Sequence, residues 1–136
     1  MTAPAYEPEP TGWTGWIAFA GVVMVMLGIL HALQGFVALF KDEYFLVGKN
    51  GLTVSIDYTQ WGWTHLILGI VIALAGMSLF AGRMWARIVA VIVAMVSVVV
   101  NIGFLAAFPI WSTIMIFLDF LIIWAVMVHG REMKSV

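Results

Sequence analysis

Four uninterrupted apolar runs, roughly residues 14–40, 61–81, 84–108 and 110–129, constrain this chain more than any other feature. Each is near or above the ~20 residues that a helix needs to cross the hydrocarbon core of a bilayer. Composition closes off the soluble alternative. The chain is 64% hydrophobic and 10% charged, with a mean hydropathy of +1.10, and 136 residues enclose too little interior to hide that much apolar surface. The expected fold is an all-α integral membrane protein: an antiparallel bundle of four transmembrane helices with a short extracytoplasmic β-hairpin loop. A net charge of −1 without a basic stripe argues against nucleic acid as a partner. The absence of cysteine removes disulfides, thiolate sites and iron–sulfur clusters.

The breaks between the runs set the topology. Residues 41–60 form a long polar outer loop, Gly82-Arg83 is a short basic connection, and Pro109 interrupts the last apolar stretch where a helix interior would not tolerate it. The last two connections are tight, so the helices they join should run antiparallel. Arg83 and Arg87 flank one connection and Arg131 and Lys134 follow the last run, whereas the opposite side offers Lys41 and Lys49. The positive-inside rule then puts both termini in the cytoplasm of a protein of the cytoplasmic (inner) membrane. Residues 1–13 carry Pro4, Pro8, Pro10, Glu7 and Glu9, a composition for a disordered cytoplasmic tail ahead of an uncleaved first helix. Residues 14–130 make the transmembrane domain and 131–136 a cytoplasmic C-terminal tail. The seven tryptophans, most of them near expected helix ends, read as an aromatic belt at the headgroup levels.

Small residues recur at fixed spacing. Helix 1 sets Thr14, Gly21, Gly28 and Gly35 seven apart, and helix 2 does the same with Gly62, Gly69 and Gly76. Helix 3 carries Ala86, Ala90, Ala94, Ser97 and Asn101 at steps of three or four, and helix 4 aligns Ser112 with Asp119. Lipid offers no hydrophobic gain when two helices meet, so close packing along small residues must drive their association. These stripes serve either the internal bundle or the helices of another protein.

Ionisable groups inside a membrane are candidate sites by default. Here they are His31, His65 and Asp119, with Gln34 and Asn101 as polar neighbours. Counted at about 1.5 Å per residue from the outer helix ends, His31 and Asp119 lie roughly 14 Å deep, Asn101 about 10 Å and His65 about 6 Å. The five are expected to converge inside the bundle. They can serve as hydrogen-bonding glue that sets helix register. They can form a proton or quinone site, because an imidazole beside a buried carboxyl exchanges protons. A bis-histidine haem or a metal requires two ligands at matching depth, which the count does not supply, so neither cofactor nor metal is expected. His129 beside Gly130 reads as a helix-end partner for free carbonyls. The nine methionines lie on no common face and read as adaptable packing.

In the outer loop, Tyr44 to Val47 and the alternating stretch Leu52 to Tyr58 flank the turn signal Gly48-Lys49-Asn50-Gly51. The expected hairpin needs support beneath it and is either a recognition surface or a lid.

The run Trp61-Gly62-Trp63, then Gly82-Arg83-Met84-Trp85-Ala86-Arg87, Phe108-Pro109-Ile110-Trp111-Ser112, Leu118-Asp119 and Val128-His129-Gly130 resembles a family of small actinobacterial four-helix membrane proteins of unknown function. The resemblance spans roughly residues 12–131. Its pattern includes Asp119 but neither His31 nor His65, which implies that a two-histidine mechanism is no family trait. Small tetraspan proteins of this lineage are similar to accessory subunits of larger envelope machines, including the Mce-type lipid importers of mycobacteria. The residues themselves show no nucleotide-binding loop, no carboxylate pair and no nucleophile with a base. The expected function is therefore a non-enzymatic accessory subunit that packs against the membrane helices of a larger complex, a lipid transporter. The alternatives are a redox or proton-relay protein built on the His/Asp cluster around haem or quinone, and a bundle that binds or transports lipid alone.

Overall fold

The computed structural model describes residues 8–40, 45–47, 53–55 and 58–136. Its helices are α1 (Trp13–Leu39), α2 (Tyr58–Leu79), α3 (Met84–Phe104) and α4 (Pro109–His129), followed by a 3-10 turn of helix at Gly130–Ser135. All four α-helices are long and apolar enough to cross a membrane. Two ends differ from the apolar runs. α2 starts at Tyr58, because Thr59 and Gln60 are polar enough to leave lipid yet nothing in them stops a helix. α3 stops at Phe104 although apolar residues continue to Phe108. Proline restricts the residue before it, and Phe108 accordingly leaves helical geometry at φ −135° and ψ 66°. Pro109 itself sits at the start of α4, where its missing N–H costs nothing.

Between α1 and α2, β1 (Phe45–Val47) and β2 (Thr53–Ser55) pair antiparallel with Leu46 opposite Val54. The expected turn at residues 48–51 lies outside the described residues. The fold is all-helical, and the expected hairpin is reduced to this three-residue pairing, too short to stand as an element of its own. Residues 1–7 of the expected disordered tail also lie outside the described residues.

The chain divides into two compact units. In the unit formed by residues 26–73, α1 and α2 cross antiparallel on glycine. A Cβ at Gly28 would sit 2.5 Å from the Gly69 carbonyl oxygen, and one at Gly69 would sit 2.5 Å from the Gly28 oxygen. Gly35 and Gly62 repeat the reciprocal arrangement seven residues away, at 2.5 and 2.9 Å. The backbones touch without intervening side chains, close enough for Cα–H···O contacts.

The other unit holds the residues up to Val25 together with Leu74–Val136. Gly21 and Gly76 meet there, and a Cβ at Gly76 would sit 2.8 Å from the Gly21 oxygen. α3 packs on α4 through buried Ala86, Ala90 and Ala94 against buried Ser112, Asp119 and Val126. The α4 seam has the seven-residue step of a helix that keeps one face to its neighbour. α2 ends in a Schellman motif: the Gly82 N–H donates to the Leu79 carbonyl at 3.0 Å and the Arg83 N–H to the Ser78 carbonyl at 3.4 Å. Gly82 makes this reversal possible with φ +67°.

Candidate functional site

Two polar groupings emerge, each within one compact unit. In the first, His31 of α1 and His65 of α2 face each other with ring centroids 5.6 Å apart. Counting from the helix ends set the two rings about 8 Å apart in depth. The structure places them side by side. His65 is held firmly. Its Nδ1–H donates to the Trp61 carbonyl at 2.9 Å, and its ring stacks on the Trp61 indole at 3.7 Å. The bond fixes the tautomer and leaves Nε2 with its lone pair free to accept. His31 Nδ1 is buried without a hydrogen-bond partner. The pair sits between the glycine crossings at Gly28/Gly69 and Gly35/Gly62, so the close backbone approach is what brings the rings together. Gln34 is exposed and takes no part in this ring pair.

In the second grouping, α3 and α4 bring the Ser97 side chain beside the Asp119 carboxyl. Asp119 is 6% exposed and its Oδ2 has no partner. Asn101, expected to reach toward Asp119, bonds backward along its own helix instead: Nδ2 donates to the Ser97 carbonyl at 2.9 Å. An amide in a span satisfies itself locally when a carbonyl lies one turn back. Ser112 Oγ is fully buried and unpartnered. Asn101 and Ser112, with Phe104, Phe108 and Trp111, line a cavity of about 460 Å³. The described residues contain no cluster of three or more His, Asp or Glu side chains able to hold a metal.

A third constellation, not singled out as a site from the sequence, occupies the α3 start and the α4 end. Arg87 Nε donates to the Val126 carbonyl at 3.1 Å and Nη2 to the Met127 carbonyl at 3.2 Å. Arg87, not His129, therefore caps the last carbonyls of α4. His129 instead stacks on Trp13 at 5.4 Å and bonds to Glu132, which also accepts the Thr11 N–H at 2.6 Å. Residues 131–135 are thus no free tail, since Glu132 and Met133 are buried. Gly130 keeps ordinary right-handed geometry at φ −59°. Its lack of a side chain matters for a different reason: a Cβ there would run into the Arg87 guanidinium and force it to move. The signal in the sequence was the pairing of Gly-Arg-Met-Trp-Ala-Arg with Val-His-Gly, whose contact only a tertiary structure reveals.

No curated protein and no solved structure matches this chain. Residues 16–131, which contain the His31–His65 pair, Ser97 with Asp119, and Arg87 with Gly130, match the family described as Domain of unknown function (DUF7144), and the chain belongs to that family.

Proposed function

We propose that this protein is a multi-pass component of the cytoplasmic membrane, both termini cytoplasmic, acting as a non-enzymatic accessory or regulatory subunit. It packs against the membrane helices of a larger complex, a lipid transporter of the Mce type. The observation that carries this reading is the bare face of α3. Only 11% of its apolar window is buried, against 22–33% for the other spans. Ile88, Ile92, Met95, Val96 and Val99 are each more than half exposed, and Gly103 has nothing within 4 Å of where a Cβ would stand. A β-branched ridge ending in an open glycine suits close contact with another transmembrane helix. The seam glycines Gly21, Gly28 and Gly35 of α1 and Gly62, Gly69 and Gly76 of α2 are used on each other, so α3 is the docking helix in this proposal. Affinity purification of the chromosomally tagged protein in mild detergent, followed by mass spectrometry, tests it. Stoichiometric transporter subunits that disappear with Val99→Trp support the reading, and a lone small particle refutes it.

The His31–His65 pair favours a second reading, a redox or proton-relay protein using haem or quinone. The oriented His65 ring and the unpartnered His31 Nδ1 support it. An absorption spectrum and a quinone extraction of the purified protein decide it: a chromophore or quinone lost in His31→Ala supports this reading, and a preparation lacking both refutes it.

A further inference from the structure

Four of the six Lys and Arg residues, Arg83, Arg87, Arg131 and Lys134, belong to the end of the molecule where α3 starts and α4 finishes. Arg83 is one turn before Arg87, and the Arg131 charge acts directly on Arg87. Lys134 lies beside Gly82. Glu132 is occupied by Thr11 and His129, and Glu9 is the one other acid near this end among the described residues. Four cations against these two acids give this end a positive charge that attracts an anion. Arg87 can provide a fork for one, because its two bonds to α4 carbonyls leave three of its five N–H donors unused.

Next to Arg87 the α3 and α4 surfaces part to leave a groove of about 340 Å³. Apart from Arg87 it is lined wholly by apolar side chains: Met84, Ile88, Val91, Ile92, Val126 and Met127. It therefore joins an apolar channel along the spanning helices to a cationic mouth at their end. That is the polarity of a phospholipid, with a headgroup at one end and a chain at the other, and basic pockets between membrane helices bind anionic headgroups. We propose that this groove is a binding site for an anionic phospholipid, with its phosphate held by Arg83, Arg87 and Arg131 and one acyl chain lying between α3 and α4. A soluble phosphate would have no use for the groove, and a zwitterionic lipid gains less from the cations. This site shares Ile88 and Ile92 with the docking face proposed above, but its test needs no partner protein.

The test uses the full-length protein in neutral detergent, titrated with phosphatidylglycerol, with phosphatidylcholine of the same chains, and with glycerol phosphate, and read by native mass spectrometry. Each cation near an anionic headgroup is worth about fivefold in affinity. Phosphatidylglycerol should be retained at one per chain and bind at least about fivefold tighter than phosphatidylcholine. The double variant Arg83→Gln/Arg131→Gln, which leaves the Arg87 bonds to α4 intact, should weaken it about twentyfold. Ile92→Trp, which narrows the groove and leaves all four cations, should also abolish retention. Equal binding of the two lipids, an unchanged affinity in the double variant, retention in Ile92→Trp, or glycerol phosphate binding as well as the whole lipid would each overturn the proposal.

Discussion

Replacing Gly28 by alanine probes the α1–α2 crossing with a single methyl group. In the structure that methyl would lie 2.5 Å from the Gly69 oxygen and 2.7 Å from the Ala73 Cβ. The closest ordinary carbon–oxygen contact is about 3.3 Å, so the two backbones must part by about 0.8 Å at this point. Neither obstacle can swing away, because one is backbone and the other is a Cβ. Overpacking of this kind costs about 1–3 kcal/mol. The reciprocal Cα–H···O contacts that lengthen with it add about 0.5–1 kcal/mol each. We expect Gly28→Ala to destabilise by about 2–3 kcal/mol, a shift of roughly 30- to 150-fold in the unfolding equilibrium. Gly103→Ala is the internal control. Nothing stands within 4 Å of its Cβ, so the same change should be neutral or stabilising by up to about 1 kcal/mol through helix propensity. Gly69→Ala should resemble Gly28→Ala, and the double variant should cost less than the sum, because both methyls exploit one separation of the helices. Reversible unfolding of the purified proteins in mixed micelles measures all four. A Gly28→Ala protein as stable as the parent, or a Gly103→Ala protein as damaged as Gly28→Ala, refutes the reasoning.

Gly130→Ala should push Arg87 off the Val126 and Met127 carbonyls and cost about 2–3 kcal/mol in the same assay. Arg87→Lys should lose nearly as much, because a single ammonium cannot replace a fork that spans two carbonyls. Ser112→Ala should stabilise by about 1 kcal/mol, since it removes a fully buried hydroxyl with no partner. Asp119→Asn should stay within about 1 kcal/mol of the parent, because an amide keeps the shape and still offers an oxygen beside Ser97. Asp119→Leu should fall about 1–2 kcal/mol below it, as expected when a polar contact between two apolar helices is lost. Glu132→Ala should speed amide exchange at Thr11, whose N–H it now holds, and leave α3 protection unchanged.

The residues carried the helical architecture openly, because a helix long and apolar enough to cross a membrane satisfies its backbone polar groups within itself and reads as a long apolar run. The seven-residue glycine step named the α1 and α2 contact faces for the same local reason: a period close to 3.5 keeps one face turned to one neighbour. Ala86, Ala90 and Ala94 were legible in the same way. Partner choice was not. Glycine stripes suit an internal crossing and an external one equally well, and only the reciprocal contacts of Gly28 with Gly69 and Gly35 with Gly62 show where they are spent.

The polar groups show the same division. Their presence within the apolar runs, and with it the need for partners, was plain in the linear order of residues. Which partner each found depended on helix register and rotation. The glycine crossings brought His65 level with His31, and a carbonyl one turn back gave Asn101 a partner on its own helix. Likewise, Arg87 and Gly130 stand 43 positions apart in the chain, and nothing local to either one requires the other. Local rules of hydropathy, period and proline geometry act over one or two turns, so they determine which segments are helices and which faces are small. Contacts between segments depend on how those helices meet, and so the tertiary structure alone decided that Arg87 caps α4, that His129 turns to Trp13 and Glu132, and that Arg87 borders an apolar groove.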